Sequence, residues 1–161
     1  MAPRPFVLRL RRGLTGVVPD PDWPAGIQIR TLVKKKEDAK AAHAVLEAGY
    51  WEGGGGAPMF HKWWSQLKKN KEFDPDLVFL ATDIDGVVGI AQCWTSGFIK
   101  DLAVHPRARR RGVARALMLT ALQAFKERRH KHVDLKVREE NSAALALYQQ
   151  LGMQVVGREP G

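Results

Sequence analysis

The stretch Leu102-Ala103-Val104-His105-Pro106-Arg107-Ala108-Arg109-Arg110-Arg111-Gly112-Val113-Ala114 carries the clearest chemistry in the chain. An apolar strand runs to Val104, Pro106 breaks it, and a basic loop enters a helix. The N–H groups of a helix's first turn lack carbonyl partners within the helix. The helix dipole adds positive charge at the same place, so such a start binds phosphate. Gly112 and Ala114 are small enough to let an anion approach the backbone, and the arginines add cationic charge at the rim. The spacing is neither the G-x-x-x-x-G-K-S/T of an ATP-binding loop nor the G-x-G-x-x-G of a dinucleotide fold. It suits the diphosphate of another phosphorylated cofactor.

Other reactive residues read as packing or solvated surface. Cys93 is a lone cysteine, which excludes an internal disulfide framework and a cysteine-rich zinc module. It reads as a small hydrophobe in a strand. His130 and His132 resemble a metal pair but sit in a basic turn with no further ligand nearby, so no metal is expected. His105 reads as structural. Trp51, Trp63, Trp64 and Trp94 read as core and pocket wall.

The elements around the loop follow from periodicity. Phe6 to Leu10 has the alternation of a short strand within an otherwise irregular stretch 1–25. Ile27 to Leu32 reads as a strand. Glu37 to Tyr50 reads as a helix with Ala41, Val45 and Leu46 buried. Gly53 to Gly56 reads as a loop that could cover a pocket. Pro58 to Lys69 reads as a second helix. Leu77 to Thr82 and Val87 to Trp94 form a hairpin turning at Asp85-Gly86, and Gly97 to Val104 is a third strand. Gly112 to Arg128 has an apolar stripe at Ala114, Leu117, Met118, Ala121, Leu122 and Phe125. His132 to Arg138 alternates strictly. Asn141 caps a helix to Leu151, Gly152 ends it, and Met153 to Gly157 is a strand. The class is α/β, a central mixed sheet with helices on both faces. Residues 27–161 form one domain, and 1–26 an N-terminal extension able to add a strand.

Length and charge bound the alternatives. The chain has 161 residues, 45% hydrophobic and 27% charged, which is the balance of a globular protein. No stretch reaches the ~20 apolar residues of a membrane span. The Arg-rich start resembles a transit peptide, but Pro3 and Pro5 spoil its helix, and the expected compartment is cytoplasmic. The net charge is +9, with Arg107, Arg109, Arg110, Arg111 and Arg115 in one cluster, Lys34 to Lys36 in another, and Arg9, Arg11 and Arg12 in a third. Such a balance calls for an anionic partner. Gly112, Ala114 and the strand break favour a cofactor over nucleic acid.

Arg109-Arg110-Arg111-Gly112-Val113-Ala114 resembles the Q/R-x-x-G-x-G/A signature of the GNAT superfamily of N-acetyltransferases. Asn141-Ser142-Ala143-Ala144-Leu145-Ala146-Leu147-Tyr148-Gln149-Gln150-Leu151-Gly152-Met153 resembles its second motif, N-x-x-A-x-x-L-Y-x-x-x-G-F, with Met153 in the place of Phe. The lead-in Trp23-Pro24-Ala25-Gly26 resembles members related to mycothiol synthase. The resemblance implies an acyl-CoA N-acyltransferase fold and acetyl-CoA as cofactor. Its diphosphate would lie on the backbone of Arg109, Arg110, Arg111, Gly112, Val113 and Ala114. Its pantetheine arm would pair with Leu102, Ala103 and Val104, where an amide polarises the acetyl carbonyl, and Asn141 would bond the arm. Tyr148 would donate a proton to the departing thiolate as an amine attacks directly, with no covalent enzyme intermediate.

Two departures stand out. Relatives that acetylate protein N-termini carry a glutamate on the strand before the second motif, where this chain has Lys136. The base, or a group binding substrate, is then sought among Asp101, Asp134 and Lys136. The family also closes with a strand pair, of which this sequence holds the first member, and Phe6 to Leu10 could fill the other place. The expected function is transfer of acetyl to a primary amine on a small molecule or peptide, with a CoA-binding regulator as the alternative and a nucleic-acid-binding domain less favoured. A homodimer is compatible with the resemblance.

Overall fold

The computed structural model describes residues 5–50 and 57–161. Trp51 and the run Gly53–Gly56 lie outside the described residues. Seven strands form one mixed sheet in the order β2-β3-β4-β5-β6-β1-β7. The strands are β1 (Phe6–Gly13), β2 (Gln28–Thr31), β3 (Phe73–Asp83), β4 (Gly86–Trp94), β5 (Phe98–Val104), β6 (His132–Arg138) and β7 (Gln154–Pro160). The helices are α1 (Lys36–Tyr50), α2 (Phe60–Lys69), α3 (Val113–Glu127) and α4 (Ser142–Gln150).

Alternation along β3 shows how the sheet divides the core. Leu77, Phe79 and Ala81 pack with Leu117 and Leu122 of α3, while Val78 and Leu80 pack with Val45, Trp63 and Leu67 of α1 and α2. Both faces are therefore buried, and the strand reads as one apolar run. In α1 the buried positions are Ala39, Ala42, His43, Val45 and Leu46, and Ala41 is only half-buried. The stripe is rotated from the expected one, since Ala39 and Ala42 join the core with Val78, Leu80 and Ile90 of the sheet. The β3–β4 turn is Ile84-Asp85, with Asp83 paired to Gly86, one residue earlier than expected.

The first strand is longer than its alternation suggested and lies inside the sheet. It pairs antiparallel with β6 on one side and with β7 on the other. Leu8 and Leu10 stand opposite Val137 and Leu135 and join the α3-side core. Arg9 and Arg11 turn to the other face, where both reach Asp134. The segment after β1 crosses α3, and Gln123 Nε2 donates to the Val18 carbonyl at 2.8 Å. Residues 6–13 are thus integral to the sheet, and Leu8, Leu10, Leu14 and Val18 to its core.

Candidate active site

The site begins where two strands part. β5 stays paired with β4 to its end, through Ala91↔Leu102, Ile90↔Ala103 and Gly89↔Val104. Its parallel pairing with β6 is limited to Phe98↔Asp134 and Ile99↔Leu135. The register of β5 on β4 slips at the next residue, since Gln92 pairs with Asp101 and Cys93 with Ile99. Lys100 is the extra residue of that bulge, and a bulge bends and twists its strand. Beyond it, Leu102 to Val104 present a backbone edge to a gap in the sheet.

Gly49 sets the depth of this gap. A Cβ there would fall 2.7 Å from the Ala103 Cβ, so α1 approaches β5 this closely only with glycine. A glycine within a helical pattern is the sequence signal that could have pointed to it.

The loop after β5 has backbone geometry of a kind that suits an anion. A single turn of 3-10 helix spans Pro106–Ala108, and His105 Nδ1 accepts from the Arg107 N–H at 3.1 Å. His105 is thus structural. Arg110 (φ 62) and Gly112 (φ 84) are both left-handed, which folds the backbone back on itself just before α3. Ala116 is the first N–H bonded to a carbonyl at this start, that of Gly112. The amides of Val113, Ala114 and Arg115 therefore have no partner within the helix. Left-handed backbone directly ahead of a helix start is a concavity suited to phosphate oxygens.

The arginine side chains are less free than a charge run suggests. Arg107 pairs with Asp83. Arg109 reaches the Val104 and Gly49 carbonyls, and Arg111 the Ala25 carbonyl at 2.8 Å. Arg110 and Arg115 remain exposed. The expected cationic rim is thus reduced, because nearby carbonyls and one carboxylate draw three of the five side chains onto the protein.

Three connected hollows follow the gap. A groove of about 800 Å³ is lined by Leu102, Ala103, Val104, Arg109, Ala114, Asn141 and Tyr148, with Gly49, Arg138 and α4 residues. The residues Arg110, Arg111, Gly112 and Val113 belong to the adjoining loop but do not line it. A waist of about 260 Å³ lies between β5 and β6, where Asp101, Lys136, Arg138, Asn141 and Tyr148 meet. Beyond it a cavity of about 540 Å³ opens among Leu46, Trp63, Leu67, Gln92, Trp94, Lys100, Asp101 and Arg138.

Asn141 caps α4 through Oδ1, which accepts from the Ala144 N–H at 3.2 Å, leaving Nδ2 to donate to a ligand. Burial pushes the Tyr148 hydroxyl up to about 12, so it keeps its proton at neutral pH. Burial, with the Asp101 carboxylate nearby, pushes the Cys93 thiol well above its usual range, which makes it inert and suits its place in the core.

The candidate bases separate clearly. Burial alone would raise the Asp134 carboxyl, but hydrogen bonds from Arg11 and Arg9 outweigh it and hold it at about 2. A carboxylate so stabilised is a poor proton acceptor, and Asp134 lines none of the three hollows, so it leaves the list of bases. Lys136 lines the waist, with its Nζ 2.6 Å from Glu159. Asp101 lines both the waist and the far cavity. His130 packs edge-on to Phe125, and His132 stands 3.3 Å from Asp134. No group of three metal-ligating side chains occurs among the described residues. Sequence reading did not single out Gly49, Gln92, Lys100 or Arg138, which the fold brings to the gap from four elements.

The family model for the acetyltransferase (GNAT) family matches residues 37–153. The chain belongs to this family. A GNAT relative from Thermobispora bispora named mycothiol acetyltransferase is 31% identical, over 89% of this chain and 52% of its own length. One of the same name from Streptomyces coelicolor is 30% identical, over 89% of this chain and 48% of its own. The chain thus spans about half the length of the curated relatives it matches. The crystal structure of an N-acetyltransferase from Sphaerobacter thermophilus superposes with a TM-score of 0.82 at 29% identity, covering 98% of this chain and 50% of that one. The mixed sheet is therefore a GNAT sheet. Among the described residues no helix is long and apolar enough to cross a membrane.

Proposed function

We propose that the chain is an acetyl-CoA-dependent N-acetyltransferase whose acceptor amine attacks directly in a ternary complex. One observation carries this reading. The open backbone edge of Leu102–Val104 runs from a left-handed loop with free first-turn amides to a waist with Tyr148 and Asp101, and a separate cavity lies beyond. A long cofactor and a small acceptor can thus enter from opposite ends and meet at the waist. The cofactor site is the groove with its adjoining loop, and it fits a phosphorylated, peptide-like arm. The backbone of Arg109, Arg110, Arg111, Gly112, Val113 and Ala114 holds the diphosphate, and the Leu102–Val104 edge and Asn141 Nδ2 hold the pantetheine. Acetyl-CoA, when bound, supplies an acetyl group already activated as a thioester.

The chain's own residues do the rest. A backbone amide of β5 stabilises negative charge on the carbonyl oxygen. Asp101, directly or through water, takes a proton from the ammonium, since an amine near pKa ~10 must lose one before it attacks. As the amine nitrogen bonds to the carbonyl carbon and the C–S bond breaks, the sulfur would leave with the bonding pair and take the Tyr148 proton, and the second proton shed by the nitrogen would return to the tyrosine through water. Lys136, held by Glu159, is not assigned a proton-transfer role.

The test has two steps. Acetyl-CoA is expected to raise the melting temperature, because a ligand of the native state alone stabilises it. Free thiol is then expected to appear with some member of a primary-amine panel. A melting temperature unmoved by millimolar acetyl-CoA contradicts the reading. Binding without thiol release from any amine leaves only a CoA-binding protein.

A further inference from the structure

We infer that the acceptor is an amine that also carries a carboxylate and a large apolar body, as an amino acid with an aromatic or long aliphatic side chain does. The inference rests on the acetyl-transfer reading and concerns the far end of the same site. The cavity there, about 540 Å³, is of small-molecule size. Its walls divide by chemistry. Leu46, Trp63 and Leu67 give the helix side an apolar surface beside Gln66 and Asn70, and Trp94, Lys100, Asp101 and Arg138 stand on the sheet side. Two cations accompany one anion, the reverse of what an acceptor with only ammonium groups needs.

Both cations are available. Lys100 is exposed on the β5 bulge and forms no ion pair among the described residues. Arg138 has a long contact with Glu140, 3.8 Å, with the two side chains 49% and 64% exposed, so little energy holds it there. An amine directed to Asp101 brings a neighbouring carboxylate towards these cations, and the planar Arg138 guanidinium can bind it through two hydrogen bonds. Gln92, 1% exposed, donates its Nε2 to the Cys93 carbonyl. Its amide oxygen remains to accept from the acceptor's ammonium. Arg138 also lines the cofactor groove, whereas Lys100 lines only the waist and the far cavity. Lys100 therefore separates the two functions.

The experiment uses the whole chain saturated with CoA, so that no turnover occurs, and titrates in L-phenylalanine, L-phenylalaninamide and 2-phenylethylamine by calorimetry. L-phenylalanine is expected to bind at least tenfold more tightly than the other two. Lys100→Met is expected to remove most of that preference while leaving CoA affinity unchanged. Equal affinity for the three probes, no binding of any, or a preference that survives both Lys100→Met and Arg138→Met overturns the inference. If CoA itself does not bind, the acetyl-transfer reading falls first. If CoA binds but 2-phenylethylamine matches L-phenylalanine, only the acceptor assignment falls.

Discussion

The two ends of the site are built from different material. The cofactor end is mostly backbone: a strand edge, a left-handed loop and the first turn of α3, all within residues 102–114. The far end is mostly side chains, drawn from α1, α2, β4, β5 and β6. Backbone chemistry does not depend on most side chains, but it needs glycine, proline and small residues at fixed places. Side-chain chemistry can be rebuilt by single substitutions. We therefore read the cofactor end as the fixed half and the far end as the half that selects the amine.

The largest expected effect lies where the ends meet. Tyr148→Phe removes one hydroxyl and keeps the ring, and turnover is expected to fall on the order of 100-fold or more. CoA affinity should stay within a factor of two by calorimetry. Unchanged turnover removes the acid role of Tyr148 and with it the chemical junction between the halves.

A smaller effect is expected within the fixed half. Gly112 has φ 84 with open space around its α-carbon, so Gly112→Ala suffers from backbone strain and not from a clash. Left-handed backbone costs an L-residue ~1–2 kcal/mol, and CoA affinity is expected to drop about tenfold as the loop relaxes. The ranking of amines should not change. A changed ranking at equal CoA affinity would reverse our division of labour.

The smallest effect on the site comes from a residue belonging to neither end. Asp134 sits at about 2 in the folded chain, against ~3.9 for an ordinary aspartate. Its ion pairs therefore stabilise the fold above pH ~4, and that stabilisation fades as pH falls from ~4 to ~2. Because Arg9 and Arg11 are each 42% exposed, the contribution is on the order of 1–2 kcal/mol. Asp134→Asn should lose that much in urea unfolding at pH 7 and show a flatter acid limb, with CoA affinity intact. Altered CoA affinity would place Asp134 in the site after all.

The same contrast explains what could be read in advance. The loop from Leu102 to Ala114, the α3 stripe from Leu117 to Phe125 and the Asn141 cap are local patterns, and the structure holds them where spacing put them, except that Ala114 is half-buried at the groove while Val113, Ala116 and Leu119 join the core. The mixed sheet is also legible, because β3 and β6 alternate or run apolar in short windows. Asp134 shows the limit. Its alternation was visible, but its arginine partners lie 123 and 125 residues away in β1. Alternation of Phe6 to Leu10 announced a strand, yet only long-range pairing puts it between β6 and β7. The Lys100 bulge and the arrival of Arg138 beside Trp63 leave no local trace, so the far cavity was opaque.

The proposed function depends above all on a cofactor diphosphate sitting on the backbone at the start of α3, and the decisive experiment is a crystal structure of the chain with CoA. Diphosphate oxygens are expected within hydrogen-bonding distance of the Gly112, Val113 and Ala114 amides, with the pantetheine lying along Leu102–Val104 towards Tyr148. Diphosphate bound elsewhere, or a pantetheine arm that avoids the gap between β5 and β6, would contradict it.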